Sequence, residues 1–283
     1  MTNPHSRRGE SVREEAETVL RSLGIEFIHV ETCKNPESLP QTVLQSRSDR
    51  VIVAGGDGSV KCVLEGLLGR GIPIGIIPAG TANNLSRTLG IPQDVRQACE
   101  VIARGRTSLI DLARVNGAYF VSVAGIGIST QVHSDVATKN KRFLGPLAYG
   151  LQAVRAIQRS RGFRFQIKTG DQLIKGHALQ LTVCNGKHFG ALLEIREDAS
   201  VTDHKLDLLV IKKTRWFRGV LSVFFQNNSE SVVRTTAERI EVRTWPPLSI
   251  DVEGDIIGQT PALFEILPNA AEVFVPEEMK KTA

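Results

Sequence analysis

The sequence predicts a two-domain chain, an N-terminal doubly wound α/β domain followed by a C-terminal, mostly antiparallel β domain. Three observations carry that expectation. Short, wholly apolar runs alternate with helix-periodic segments over the first ~105 residues. Two of those runs end in glycine-containing turns that open helices. Beyond residue 109, strand-like segments follow one another with few helical interruptions. A chain of 283 residues is long for one core and comfortable for two.

Taken in order, residues 12–23 carry apolar positions at helical spacing, and 25–30 read as a strand. Residues 51–54 (Val-Ile-Val-Ala) form a short buried strand that runs into Gly55-Gly56-Asp57-Gly58-Ser59 and a helix-periodic segment over 60–68. Residues 72–77 form a second buried strand, followed by Pro78-Ala79-Gly80-Thr81 and helical material to 103. Strands are then expected at 118–123, 163–168, 180–184, 206–211, 239–243, 248–252 and 271–275, with helices chiefly over 147–157 and 216–226. No repeat or low-complexity linker marks the join, so texture alone places the first domain at 1–108 and the second at 109–283. The last residues, about 270–283, are a candidate return to the first domain. The usual ligand site of such a pair is the cleft between its domains.

Composition narrows the classes. Apolar residues make up 41% and charged residues 23%, as in ordinary globular proteins. No stretch reaches the ~20 apolar residues of a membrane span, and polar residues 1–13 offer no signal-peptide core. Cys33, Cys62, Cys99 and Cys184 form no CxxC pair, which argues against a metal or disulfide framework and for a reducing, cytoplasmic setting. A net charge of +5 suits an anionic partner such as a nucleotide, nucleic acid or an acidic membrane surface, without choosing among them. With two Trp, two Tyr and no recognisable module, nucleic acid is not expected as a partner.

The densest chemistry lies at Gly55 to Ser59. Glycines at a strand-to-helix turn remove the Cβ atoms that would keep an anion from the backbone, so the amides and the helix N-terminus can hold phosphate oxygens. Asp57 repels phosphate and is suited instead to positioning Mg2+ or a water beside it. The alternative is a tight turn that merely needs glycine. No GxxxxGK[ST] occurs, so this is not a Walker A loop. At Gly80-Thr81 the pattern recurs; Thr81 is either a phosphate contact or a plain N-cap. Two such turns after parallel strands fall at one carboxyl edge of the sheet, where ligands bind in open α/β folds.

Gly55 to Ser59 with Pro78-Ala79-Gly80-Thr81-Ala82-Asn83-Asn84-Leu85 resembles the diacylglycerol kinase catalytic-domain family, bacterial lipid kinases related to sphingosine kinases. The resemblance extends along the chain. Asn3-Pro4 resembles the family's opening phosphate-side loop, without the strand that normally precedes it, and Thr32 falls where the family has a nucleotide-contacting threonine. Ile110-Asp111-Leu112-Ala113 with Tyr119-Phe120-Val121 resembles the start of the second domain, and Asp135 an acidic residue near the active site. Asn185-Gly186 and residues 199–207 match a segment that usually reads A-x-x-x-D-G-x-L-D, and Glu253-Gly254-Asp255 stands at the family's Asp-Gly-Glu.

The resemblance implies a phosphofructokinase-like first domain, a β-sandwich second domain, and transfer of the γ-phosphate of ATP, with Mg2+, to a lipid hydroxyl such as that of diacylglycerol, a step in phospholipid biosynthesis. Asn3, Thr32, Gly55, Gly56, Asp57, Gly58, Ser59, Gly80 and Thr81 would hold the nucleotide; Asp57 and Asp135 would organise catalytic Mg2+; Asp255 would be the general base. A structural Mg2+ would take Asp203 with carbonyls of Ser200 and Lys205. Two departures bear on these roles. Asp255 is one methylene shorter than the family's Glu, which leaves three readings: an adjusted cleft, reduced activity, or Glu253 acting from the same face of an extended segment. His204 stands at the family's Gly beside Asp203. The lipid is expected at a membrane surface. The basic and aromatic residues 212–218 before an apolar run suit either that surface or a helix covering the β domain, and the cluster of Lys139, Lys141 and Arg142 has the same two readings. Oligomeric state is open, a homodimer included. The competing functions are a soluble-metabolite kinase of the NAD kinase type and a non-catalytic nucleotide- or lipid-binding regulator.

Overall fold

The computed structural model describes residues 9–28, 30, 48–128, 162–189, 193–213 and 232–277. The chain divides into two compact units, one of Met1–Ala113, Asn185–His204 and Ile266–Ala283, the other of Arg114–Cys184 and Lys205–Glu265.

In the first unit, helix α1 (Gly9–Ser22) precedes strand β1 (Val51–Gly55), helix α2 (Asp57–Leu67) and strand β2 (Ile74–Pro78). The short helix α3 (Asn84–Thr88) and helix α4 (Val95–Arg104) follow. Strands β1 and β2 pair in parallel, from Val51 opposite Ile74 to Gly55 opposite Pro78. Parallel strands covered on both faces read as unbroken apolar runs, which is why 51–54 and 74–77 show no alternation. Helices α1 and α4 pack together over one face: Ala16, Val19 and Leu20 meet Cys99, Ile102, Ala54, Ile77 and Phe274 in one buried cluster. Gly75 allows the close approach, because a Cβ there would lie 2.7 Å from Ile102 Cδ1. The helical material expected up to 103 is two helices, separated at Gly90 (φ 72°) and Pro92. Asp94 caps the second, its carboxylate accepting the Gln97 N–H at 3.0 Å.

The strand expected at 25–30 does not form over 25–28. The Ile25 N–H instead donates to the Leu20 carbonyl at 3.0 Å, closing the end of α1, and the Arg21 guanidinium lies 4.8 Å from the centre of the Phe27 ring. The apolar residues serve to tie off a helix.

Strand β3 (Thr107–Val115) runs out of the first unit, and β4 (Ala118–Phe120) and β5 (Val123–Gly127) open the second. The second unit continues with β6 (Phe163–Thr169) and β7 (Gln172–Cys184). The chain then returns to the first unit for the hairpin β8 (His188–Phe189) and β9 (Leu193–Glu194). The second unit is completed by β10 (Leu206–Lys212), β11 (Val232–Ala237), β12 (Arg239–Trp245), β13 (Ser249–Val252) and β14 (Asp255–Gln259). The start of β15 (Ala262–Phe274) also belongs there, while its end pairs in parallel with β2 at Val273. Within the second unit the ladder runs β12, β6, β7, β5, β13, β14, antiparallel throughout, and β10 bridges β7 and β11. The α/β and antiparallel β expectations both hold.

Strand β7 extends well before the expected 180–184. Its residues 172–178 pair with β6, and 180–184 lie between β5 and β10. Only the second stretch is buried throughout and apolar enough to show in the sequence; the first is mostly exposed and is made a strand by its partner. The same holds for β14, exposed over most of its length. The helices expected at 147–157 and 216–226 lie outside the described residues. No helix among the described residues is long and apolar enough to cross a membrane.

Leu20, 1% exposed at the centre of the α1–α4 cluster, supplies the first test. Leu20→Ala is expected to cost about 2–5 kcal/mol, read as a lower urea midpoint at unchanged m-value.

Candidate functional site

The two glycine turns of the first unit are built against each other. Strand β1 ends at Gly55, Gly56 stands before α2 in extended conformation (φ −94°, ψ −176°), and Asp57 is the first helical residue. The Ala79 N–H donates to the Gly55 carbonyl at 3.0 Å, carrying the β1–β2 pairing one step past the strands. A Cβ on Gly80 would lie 2.5 Å from Gly56 Cα and 2.7 Å from Asn83 Oδ1; one on Gly56 would lie 3.1 Å from Gly80 Cα. Position 80 needs glycine and position 56 leaves little room for anything larger because two backbones meet there, a reason independent of any ligand.

The second turn is shaped by Asn83. Its backbone takes the left-handed conformation (φ 51°), which Asn tolerates better than most residues. Its Oδ1 accepts the Gly80 N–H at 2.9 Å, while Nδ2 donates to the Gly80 carbonyl at 3.2 Å and to Gln93 Oε1 at 3.1 Å. Asn83 cannot also cap α3 with its side chain, and Asp57 does so from α2. The Asp57 carboxylate accepts the Asn84 N–H on Oδ2 and the Leu85 N–H on Oδ1, both at 2.9 Å. A carboxylate facing the amides of a helix start is favourable both as a charge-assisted bond and through the helix dipole.

Three site residues expected from the sequence, Gly58, Gly80 and Thr81, are exposed; Gly56, Asp57 and Ser59 are half-buried, and Gly55 is buried. Gly55 also abuts Ser59, whose Cβ would lie 2.6 Å from a Cβ at 55. What results is an accessible rim at the N-terminus of an eleven-residue helix, where the first amides have no acceptor within the helix. Such a rim can take phosphate oxygens. Two turns along α2, burial pushes the Glu65 carboxyl up, with half-buried Lys61 opposing the shift. Cys62 is only half-buried, whereas the buried Cys99 and Cys184 thiols are pushed up by desolvation, Cys99 to about 11, so neither is a ready nucleophile.

In the second unit, Asp255 is exposed at the first position of β14, directly after the turn that joins it to β13. That turn corrects the extended-segment argument for Glu253. Glu253 (φ 53°) and Gly254 (φ 101°) both take left-handed conformations, the signature of a two-residue hairpin, so Glu253 and Asp255 do not alternate along one strand face. Glu253 Oε1 accepts the N–H groups of Val121 at 2.8 Å and Ser122 at 2.9 Å, and the Gly254 N–H donates to Asp251 Oδ1 at 2.9 Å. The first carboxylate braces the turn, and Asp255 is carried on its far side.

Of the residues expected at a structural metal, Asp203 lies 3.6 Å from the Arg196 guanidinium, the Ser200 hydroxyl bonds Thr202 Oγ1 at 2.9 Å, and Lys205 is exposed. His204 takes the conformation glycine would adopt (φ 59°), held by Asp111. Among the described residues no cluster of three His, Cys, Asp or Glu side chains is arranged to hold a metal. Asn3, Thr32 and Asp135 lie outside the described residues, as do Lys139, Lys141, Arg142 and 214–218 of the basic-aromatic segment. Sequence reasoning missed the structural roles of Asn83, Asp111 and Arg196; only Asn83, three residues after Gly80 in the second glycine turn, carried a local signal.

Three substitutions separate scaffold from rim. Gly80→Ala is expected to destabilise by about 1–3 kcal/mol through backbone overlap. Gly58→Ala, with nothing within 4 Å of the added methyl, is expected to stay within about 1 kcal/mol of the parent, so that any loss of nucleotide affinity in it reports crowding of the ligand. Asp57→Asn is expected to lower stability by about 1–3 kcal/mol as one charge-assisted cap is lost. Urea titration and nucleotide binding on the same preparations check all three.

The chain is similar to known proteins along most of its length. Residues 1–115 match the diacylglycerol kinase catalytic domain, and residues 122–275 match the YegS C-terminal NAD kinase beta sandwich-like domain. A diacylglycerol kinase of Bacillus subtilis (strain 168) is 31% identical over 238 residues, covering 81% of this chain and 78% of that one. A diacylglycerol kinase of Staphylococcus carnosus (strain TM300) is 27% identical over 246 residues, covering 84% and 80%. A solved chain from Bacillus anthracis str. Sterne superposes with a TM-score of 0.82 at 24% identity, over 98% of this chain and 96% of that one. A crystal structure of a diacylglycerol kinase from the same organism gives 0.75 at 22%, over 94% and 93%; likeness at such identity speaks for the fold. By its two matched domains and its identity to the Bacillus subtilis enzyme, this chain belongs to the diacylglycerol kinase catalytic-domain family.

Proposed function

We propose that this chain is a lipid kinase that transfers the γ-phosphoryl group of ATP to a lipid hydroxyl, with diacylglycerol the first acceptor to test. The observation that carries the reading is the pair of interlocked glycine turns, which leaves an exposed backbone rim at the start of α2 without a Walker A sequence. Family membership and the names of the Bacillus and Staphylococcus relatives support the acceptor class.

Phosphoryl transfer needs little covalent help from protein, so positioning and charge neutralisation dominate. In this reading the amides of Gly56 and Gly58, with Ser59 and Thr81, hold the phosphates. Magnesium bound with the nucleotide would neutralise the phosphate charge. Asp57 suits it only indirectly: each carboxylate oxygen already accepts one N–H from α3, and the remaining lone pairs can order a metal-bound water. Asp255, exposed and carried past a braced turn, takes the proton from the attacking hydroxyl. A lipid hydroxyl loses its proton only as transfer proceeds, so this carboxylate acts late. The acceptor lies in a bilayer, and we propose peripheral contact with an acidic membrane surface, which the +5 net charge favours.

Labelled ATP, Mg2+ and a total lipid extract are expected to yield a phosphorylated lipid, and diacylglycerol added alone to yield phosphatidic acid. Label in NADP from added NAD, with none in lipid, would move the assignment to a soluble-metabolite kinase; no ATP-dependent product at all would favour a regulator. Asp255→Asn is expected to lower kcat by about 10²–10⁴-fold while leaving the KM for ATP within about threefold. Unchanged turnover in that variant would remove Asp255 from the mechanism.

A further inference from the structure

We propose that the 196–205 loop carries its own cation. The guanidinium of Arg196 stands at Asp203 in place of the divalent ion that the resemblance implies, and the loop keeps its fold without metal. The inference concerns this chain's own residues and does not rest on the lipid kinase reading.

The expected metal ligands were the Asp203 carboxylate and two main-chain carbonyls. A divalent ion at such a site depends on the one carboxylate for all its side-chain charge. Asp203 Oδ2 lies 3.6 Å from Arg196 Nη2. The same guanidinium is fixed from its other side by Asp198, with Nε 3.1 Å from Oδ1 and Nη1 3.2 Å from Oδ2. One permanent positive charge therefore bridges two carboxylates of one loop, and a guanidinium cannot shed its proton to make room. A divalent ion on Asp203 would have to sit beside that charge or displace it. The residues present do not fit the implied ion.

The loop is also tied without metal. His204 adopts the left-handed conformation at φ 59°, and its N–H donates to Asp111 Oδ2 at 2.8 Å while its ring Nδ1 lies 2.9 Å from Oδ1. Asp111 is fully buried, and its Oδ1 also accepts the Asn269 N–H at 2.9 Å. The Asp111 N–H donates to the Val201 carbonyl at 2.7 Å, and the Thr202 N–H donates to Ser200 Oγ at 3.2 Å. A side chain at 204, where the family has glycine, is thus compensated by its own contacts with Asp111, and the carboxylate next to it is neutralised by Arg196.

Mn2+ binding, followed by the electron paramagnetic resonance of the free ion, tests this on the full chain without nucleotide. The parent and Asp203→Asn are expected to bind Mn2+ equally. Arg196→Gln is expected to gain a site roughly tenfold or more tighter than anything at Asp203 in the parent; that site should be absent from the double variant with Asp203→Asn, and Arg196→Lys should behave as the parent. Binding in the parent that exceeds that of Asp203→Asn overturns the proposal, as does a folded Arg196→Gln protein with no Asp203-dependent site. Should Arg196→Gln fail to fold, thermal midpoints in EDTA and in Mg2+ decide with the parent and Asp203→Asn alone. An equal response in the two supports the proposal, and a chelator-induced drop confined to the parent overturns it.

Discussion

The contact between Gly56 and Gly80 is the constraint on which the candidate nucleotide site depends. Two turns, each leaving a parallel strand, come so close that position 80 has no room for a side-chain carbon and position 56 only a tight fit for one, and the Asp57 carboxylate then bonds the two first amides of α3. Position and orientation of the second turn relative to the first are set by the strand pairing that runs on to Ala79, one close backbone contact and one bidentate anchor. A rim of amides can stabilise charge only if it is already in place when the charge arrives, and this arrangement supplies that rigidity from residues that would otherwise pass as ligands. Asp57 has a structural task first, and any part in ordering a metal-bound water draws on what its oxygens have left.

The same economy appears at two other carboxylates. Asp111, without any exposed surface, gathers β3, the 200–204 turn and Asn269 through main-chain and imidazole bonds. Glu253 accepts two amides of the 121–122 bend and so sets the hairpin that presents Asp255. In each case a buried or half-buried anion is stabilised by N–H groups, which spreads its charge over dipoles that the fold must satisfy in any event. Acidic residues in this chain therefore divide into anchors and exposed groups, and burial with its hydrogen bonds, more than position in a motif, tells them apart.

Much of this chain was legible from residue order. The parallel strands at 51–54 and 74–77 are short, apolar on both faces and followed by glycine, a combination with few other structural readings. The two-part organisation and the glycine turn from β1 into α2 followed from periodicity and glycine spacing, and the motif at 78–85 narrowed the family. Strands such as the first half of β7, β11 and β14 escaped because they are exposed or half-buried and owe their extended shape to neighbours far along the chain. The 25–28 run misled for the opposite reason: its apolar residues finish a helix.

By itself, then, the sequence determined the alternation of elements, the sites where backbone must lack a side chain, and the family to which they point, since these are local properties of spacing and residue type. Only the tertiary structure decided that Asn185–His204 joins the first unit, that Asp57 is a helix cap, that Glu253 braces a turn while Asp255 stays exposed, and that Arg196 bridges Asp198 and Asp203. Each of those outcomes depends on which amide or charge lies a few ångströms from a carboxylate, and that distance is set by packing between segments that the order of residues leaves far apart or free to turn either way.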